Sequence, residues 1–463
     1  MSALWTSTEI AAATGGRANG DFAVRGVSFD SREVGRGELF VAMPGEATDG
    51  HKFVEDAFAR GAAGALVSRP IERPHILVGD VAVALDALAR AARGRGDARI
   101  VGVTGSVGKT GTKEAIFAAL DRIAPGRAHR SVKSYNNHTG GPLSLARMPR
   151  DARFGVFEMG MNHAGELAQL TRLVRPHVAL VTAIAPAHSA FFSGEEAIAD
   201  AKGEIFHGLE PGGTAVIPFD SPHRGRLIEA AAPYAARIVT FGRGEGADVR
   251  ARDEGRSEEG GRFVTASLGG ATLSFTVAPP GAHWVSNALA VLAVVEALGE
   301  DWLTAGLALG ELEELPGRGA RRRVAVAGGE ALVIDESYNA NPTSMAASLA
   351  LLGEQEGATR RIAVLGTMRE LGEQSDAFHA ALAEPILAAG VDYALLVGDG
   401  MAPLADALHG RIDAEHGPDA AWAIARIGQI IRSGDAVLVK GSNSIGLARV
   451  VTALADEMMP CSI

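Results

Sequence analysis

Apolar runs of strand length alternate with glycine-rich turns and helical stretches along this chain, and the rhythm changes twice. Residues 1 to about 95 hold short strand-like runs, ELFVAM, GALVS and HILV, followed by the helix-like VAVALDALARAAR. From Arg99 the order becomes strand, glycine turn, helix: RIVGV, then TGSVGKT, then GTKEAIFAALDRI. Further strands are predicted at FGVFEMG (154–160), HVALVTAI (177–184) and TAVIPF (214–219), with helical GELAQLTRLV and EEAIADAKGEIFHGL between them. LPGRG (315–319) reads as a linker, because Pro and Gly interrupt a helical run. Beyond it ALVIDE, PTSMAASLALLGE, RRIAVLG, SDAFHAALAEPILAAG, YALLVG and DAVLVKG alternate strand with helix. Apolar strands separated by helices imply right-handed crossovers and mainly parallel sheets covered on both faces, an α/β fold. ALAVLAVVEAL (288–298) is too short to cross a bilayer and carries Glu296, so it is expected as a buried core helix. EGADVRARDEGRSEEGGR (245–262) is expected as a solvated hairpin or loop.

Length and charge narrow this picture. A chain of 463 residues is too long for one core, so two or three domains are expected. A hydrophobic content of 47% with 21% charged residues is that of a soluble globular protein. The formal charge of -11 argues against a broad nucleic-acid-binding face but leaves room for a local basic pocket. A single cysteine, Cys461, excludes a disulfide within the chain, and the reducing cytoplasm fits that usage. MSALWTSTEIAAATGG has neither a basic segment nor a long apolar one, so no signal peptide and no membrane insertion are expected.

The sharpest chemistry lies in VTGSVGKT. A standard phosphate loop, G-x-x-x-x-G-K-[ST], would need glycine where Val103 stands; Gly105 comes two residues later, leaving Ser106 and Val107 before Gly108, Lys109, Thr110 and Gly111. The run still follows a strand and opens a helix. Backbone N–H groups there can reach phosphate, Lys109 can neutralise β/γ charge, and Thr110 can offer its hydroxyl to Mg²⁺. The plain alternative is a glycine turn before a helix with an exposed lysine. Glu158, at the end of FGVFEMG, suits a metal-holding acid as well as it suits a surface strand end. His188 follows another strand, where loop histidines are commonly structural or solvated, and Lys202 sits on a helix where the default is a solvated charge. ALVIDESYNANPTSM places Asp335, Tyr338, Asn339 and Asn341 at a strand's carboxyl end. Asx residues favour such turns anyway, yet the set also suits a ribose and a base. Lys440 in VLVKGSNS repeats the arrangement.

Together these stretches resemble the muramyl peptide ligase family over nearly the whole chain. The resemblance is carried by DSREVGRGELFVAMPGEATDGHKF (30–53), TGSVGKTGTKE, YNNHTGGPLSL, EMGMNHAGE, APAHSAFF, AKGEIF, DESYNANPTSM, LGTMRELGEQS and VKGSNS. The short TGxxGK[ST] loop is that family's form, which accounts for Val103. The resemblance implies three domains: a small α/β UDP-sugar-binding domain over 1–95, a central P-loop NTPase-like parallel sheet binding ATP over 96–316, and a C-terminal Rossmann-like domain over 317–463. DESYNANP and LGTMRELG point within the family to the member that adds a dipeptide. The implied activity is an ATP-dependent amide ligase joining D-alanyl-D-alanine to UDP-N-acetylmuramoyl-tripeptide through an acyl phosphate, releasing ADP and phosphate.

By the same resemblance Glu158 and His188 coordinate Mg²⁺ with Thr110, and Lys202 matches a lysine that several members carry as an N-carbamate. Asn287 and Arg318 match positions near the adenine and the γ-phosphate. Asp335 is implied to bind ribose, with Tyr338 and Asn339 nearby; Ser31 matches a contact of the uridine diphosphate, and Asn137 the segment facing the muramyl portion. Trp284, after His283, stands where asparagine is frequent, His138-Thr139-Gly140 replaces a common Ile-Gly pair, and Glu336 replaces a second Asp. A monomer acting in the cytoplasm is expected. The alternatives are a sibling ligase adding a single amino acid to the UDP-linked dipeptide, and a phosphate-loop switch that hydrolyses nucleotide to change shape. The switch leaves the N-terminal region and DESYNANP unexplained.

Overall fold

The computed structural model describes residues 3–45, 48–186, 191–257 and 261–456. Three sheets, each with helices against it, succeed one another along the chain, with a two-stranded ribbon (Trp5–Thr6 with Ala23–Val24) at the start. Among the described residues no helix is long and apolar enough to cross a membrane.

The first sheet has five strands, in the spatial order 17–19, 75–77, 64–67, 39–41 and 27–28; all pairs but the first are parallel. Its helix Val81–Gly94, capped by Asp80, buries Leu85 and Leu88 in a core that also takes in Leu143 and Ala146 of the next unit. Arg95 lies 3.6 Å over the Trp5 ring and donates to the carbonyls of Leu4 and Met148. That seam is apolar and continuous.

The central sheet has nine strands among the described residues. Its middle contains β1 (Arg99–Thr104), β2 (Phe154–Glu158) and β3 (Val178–Val181), with β1 paired in parallel to both others. Apart from Arg99, Thr104 and Glu158 at their ends, each is an apolar run, as a strand covered on both faces must be. One face is covered by α1 (Lys109–Ile123) and by α3 (His283–Ala297), whose residues 288 to 295 are all buried, as expected for the core helix. The other face carries α2 (Glu195–Gly203) among others. The polar stretch after 245 forms a hairpin, Val249–Arg256 with Arg262–Leu268, continued by Ala271–Val277. It extends the sheet as an antiparallel edge. From its tip Arg256 reaches Glu354 and Glu356 of the third unit at 3.4 and 2.8 Å.

The third sheet begins with an antiparallel pair, β4 (Ala320–Val326) and β5 (Gly329–Glu336), and continues in parallel through β7 (Asp435–Lys440), β6 (Arg360–Gly366) and two more strands. Its two apolar cores contain residues of this unit alone. The run SDAFHAALAEPILAAG forms two short helices, Ser375–Ala380 and Ala383–Ala388, where one was expected. Pro385 has no N–H to continue an earlier helix and fits only a first turn, so the helix breaks and restarts ahead of it.

Candidate active site

The phosphate-loop segment turns sharply because two glycines adopt conformations closed to side chains. Gly105 has φ +151°, and a Cβ there would lie 1.9 Å from Thr182 Oγ1; Gly108 sits at φ +82°, where a Cβ would come within 3.0 Å of Asn287 Oδ1. The end of β3 braces the loop: Ser106 N donates to Ala183 O at 2.8 Å, and Thr182 Oγ1 donates to Val107 O at 2.6 Å. Lys109 Nζ folds back to Gly105 O at 2.6 Å. Burial pushes its ammonium below the ordinary lysine value, with Arg318 acting the same way and Glu158 opposing.

Glu158 ends β2 beside Val103 of β1, so the acid and the loop emerge from neighbouring strands on the same edge. Its carboxylate is buried and accepts from Thr110 Oγ1 at 2.7 Å and from Asn136 Nδ2 at 2.8 Å. Its backbone N–H donates to Ser131 Oγ at 3.0 Å. Among the described residues no three His, Cys, Asp or Glu side chains converge on one point. The donor set still fits Mg²⁺, which takes one or two carboxylates and completes its shell with water and substrate phosphates. Here the carboxylate and hydroxyl already touch, and Glu158 forms no ion pair with a lysine or arginine among the described residues.

Lys202, on α2, is only 1% exposed, and its amine makes no hydrogen bond among the described residues. The solvated reading is therefore corrected: the helix buries this amine against the cleft. Burial, and then the nearby Lys109 charge, push it well below the ordinary lysine value. His188 lies outside the described residues.

Across the cleft the 315–319 turn is stitched onto the third sheet. Asp335 accepts from Gly317 N at 2.9 Å and from Ser337 Oγ at 2.6 Å, and its backbone carbonyl takes Gly319 N. Those bonds occupy the carboxylate of Asp335, which does not line the cleft. Glu336, Tyr338 and Asn339 do. Arg318 lies 4.2 Å over the Tyr338 ring and donates to Ser134 Oγ of the central unit at 3.1 Å. Lys440, 2% exposed, donates to Asn339 O at 3.0 Å and meets Glu336 at 3.3 Å. The resulting cleft of about 360 Å³ collects residues 106–111, Glu158, Lys202, Asn287, Arg318, Tyr338 and Asn339. That volume is within the range of small-molecule sites.

Two further expected residues stand apart from it. Asn137 Oδ1 accepts from Thr139 N and Gly140 N, an Asx turn that starts the next helix. Its neighbour Asn136 is the one that faces Glu158. Ser31 is buried in the N-terminal loop between Phe29, which packs on Tyr135 at 5.1 Å, and Glu33, which pairs with Lys133. Asn136, Ser134 and Thr182 escaped the sequence reading. Only an acid awaiting a donor on a strand end hinted at the first, and nothing distinguishes Asn136 from Asn137 before the turn is built.

A phosphate loop, a strand-end acid and an arginine offered from a second α/β unit define an enzyme of the phosphate-loop class divided over three domains. The comparisons are specific. Residues 23–95 match the model "Mur ligase family, catalytic domain", residues 103–295 "Mur ligase middle domain", and residues 321–443 "Mur ligase, glutamate ligase domain". The chain belongs to the Mur ligase family. It is 35% identical over 448 residues to the UDP-N-acetylmuramoyl-tripeptide--D-alanyl-D-alanine ligase of Synechocystis, covering 94% of this chain and 93% of the relative. The Escherichia coli protein of that name is 35% identical over 451 residues, 94% and 95% covered. Among solved structures, MurF from Acinetobacter baumannii superposes with a TM-score of 0.84 at 29% identity, covering 98% of this chain and 99% of that one. MurF from Thermotoga maritima in complex with ADP gives 0.75 at 28%, covering 94% and 98%.

Proposed function

We propose that this chain joins D-alanyl-D-alanine to UDP-N-acetylmuramoyl-tripeptide with ATP, forming ADP and phosphate, in the cytoplasm. The observation that carries the reading is the single cleft in which Lys109, Thr110 and Glu158 face Arg318 and Tyr338, in a chain aligned almost end to end with ligases of that name. We assign residues 1–95 to the UDP-sugar, 96–316 to ATP and catalysis, and 317–463 to the C-terminal half of the nucleotide site.

Transfer of a phosphoryl group to a carboxylate brings two anions together, so the protein's work is neutralisation and alignment. The Val107–Thr110 N–H groups cradle phosphate, Lys109 balances the γ-phosphoryl charge, and Arg318 closes on it from the far wall. Thr110 and Glu158 hold Mg²⁺, which supplies further neutralisation of phosphate charge when bound. The substrate carboxylate attacks the γ-phosphorus, ADP leaves, and the free amine of D-alanyl-D-alanine attacks the acyl phosphate; loss of phosphate and a proton leaves the amide. Burial and the nearby Lys109 charge favour the neutral form of the Lys202 amine, the form that carbamylation by CO₂ requires, and a carbamate would carry a charge complementary to Lys109. Tyr338 and Asn339 flank the nucleoside.

The test is an amine and precursor panel. With ATP and UDP-linked tripeptide, phosphate release and the ligated mass should appear with D-alanyl-D-alanine. Release only with a single amino acid on the dipeptide precursor would assign the chain to a sibling activity, and release without any ligated product would favour the switch.

A further inference from the structure

One fully buried charge near the cleft has no part in the chemistry above. Lys113 lies one turn beyond Lys109 on α1, does not line the cleft, and is 0% exposed. Its Nζ donates to Ser131 O at 2.9 Å and to Lys133 O at 2.8 Å, and meets Glu114 Oε1 at 2.9 Å. Glu114 in turn pairs with Arg130 at 2.6 Å, whose guanidinium lies 3.7 Å over Phe117. The chain between those two carbonyls is not relaxed: Lys133 has φ +54°, a left-handed conformation uncommon for a residue with a side chain.

What the pinned segment carries gives the clamp its meaning. Ser131 Oγ takes the backbone N–H of Glu158 at 3.0 Å. Ser134 Oγ stands 3.4 Å from Thr110 Oγ1 and accepts from Arg318 at 3.1 Å. Asn136 Nδ2 donates to Glu158 Oε1 at 2.8 Å. Three polar groups within six residues thus act on the carboxylate, the hydroxyl and the arginine already placed at the phosphate end of the cleft.

We propose that Lys113 is a positioning residue: by holding both carbonyls it sets the 131–136 segment so that Asn136 and Ser134 keep Glu158 and Thr110 aligned for a divalent cation. The assignment rests on the ligase reading only in taking that cation to be the one bound with nucleotide. Outer contacts that orient ligands commonly change metal affinity 10- to 100-fold when removed.

The test uses the full-length chain and Mn²⁺, whose binding in the presence of ADP is read by electron paramagnetic resonance whether or not the protein ligates. Lys113→Met should weaken Mn²⁺ binding about tenfold, while ADP affinity in EDTA, which depends on the glycine loop and Lys109, stays within about twofold. Asn136→Ala should give a similar shift, and the double variant no more than the larger single effect, since Lys113 acts through that segment. Lys113→Arg, which keeps donors for both carbonyls, should recover part of the loss. An unchanged Mn²⁺ affinity in Lys113→Met overturns the proposal. So does a parallel fall in metal-free ADP affinity, which marks a mere scaffold residue. Should Lys113→Met fail to fold, Lys113→Gln takes its place under the same criteria. Failure of the wild-type amine panel would refute the ligase reading and leave these titrations standing.

Discussion

Two buried lysines occupy opposite walls of the cleft, and among the described residues only one is balanced. Lys440, on the C-terminal wall, has Glu336 and the Asn339 carbonyl within reach, so its charge is absorbed by its own turn. Lys202, on the central wall, has no such partner among the described residues and shares its surroundings with a second cation, Lys109. A compensated charge stabilises a turn. An uncompensated one is a cost the fold carries, and such costs gather where chemistry needs a perturbed group. The central wall therefore holds fixed electrostatics prepared for anions, whereas the C-terminal wall keeps its carboxylate and lysine for itself and offers Arg318, Tyr338 and Asn339.

The contrast can be broken most decisively at Lys109. Replacement by alanine should reduce turnover about 10³-fold with the thermal midpoint little changed, because the lost donor serves transferring phosphate rather than the core. A loss below tenfold would mean the central wall is not the phosphate side. Lys202→Met should split activity from stability: turnover in the ligation assay falls about 10²-fold while the protein becomes more stable near neutral pH. The sign follows from linkage. The folded state holds this amine's proton less tightly than the unfolded chain, whose value is 10.5, so unfolding takes up a proton and stability rises with pH towards that value. In carbonate-free buffer the stability gap between Lys202→Met and wild type should narrow by up to about 1.4 kcal/mol for each pH unit approaching 10.5, read from urea midpoints. Lys440→Met should do the opposite, lowering stability by about 1–3 kcal/mol at neutral pH because Glu336 loses its partner. Arg318→Ala should raise KM for ATP about tenfold, and Tyr338→Ala about threefold, both in the phosphate-release assay.

Much of this is legible in the amino-acid sequence. The strand–glycine–helix order around Lys109 and the acid at the end of FGVFEMG are local patterns, and parallel pairing carries both to one sheet edge. The burial of Lys202 was not local: α2 is a short helix whose inward side is decided by the sheet it meets. The surroundings of Asp335 were hidden for a related reason. A carboxylate at a strand end looks free for a ligand, yet the 315–319 turn, brought back by the β4–β5 pairing, takes one of its oxygens through Gly317 N, and Ser337 takes the other. The hairpin after residue 249 was among the expected forms, but its pairing onto the central sheet was not, since its outward positions are polar enough to read as loop.

The bridge from the hairpin tip to the third unit rests on Arg256, half exposed, and Glu356, almost wholly so. Ion pairs this wet are worth little, and at physiological ionic strength they are screened within about 8 Å. The lobe carrying Arg318 is thus latched rather than welded, in contrast to the shared apolar seam on the other side. Dilute buffer should tighten that latch slightly and concentrated salt loosen it, with neither apolar core involved.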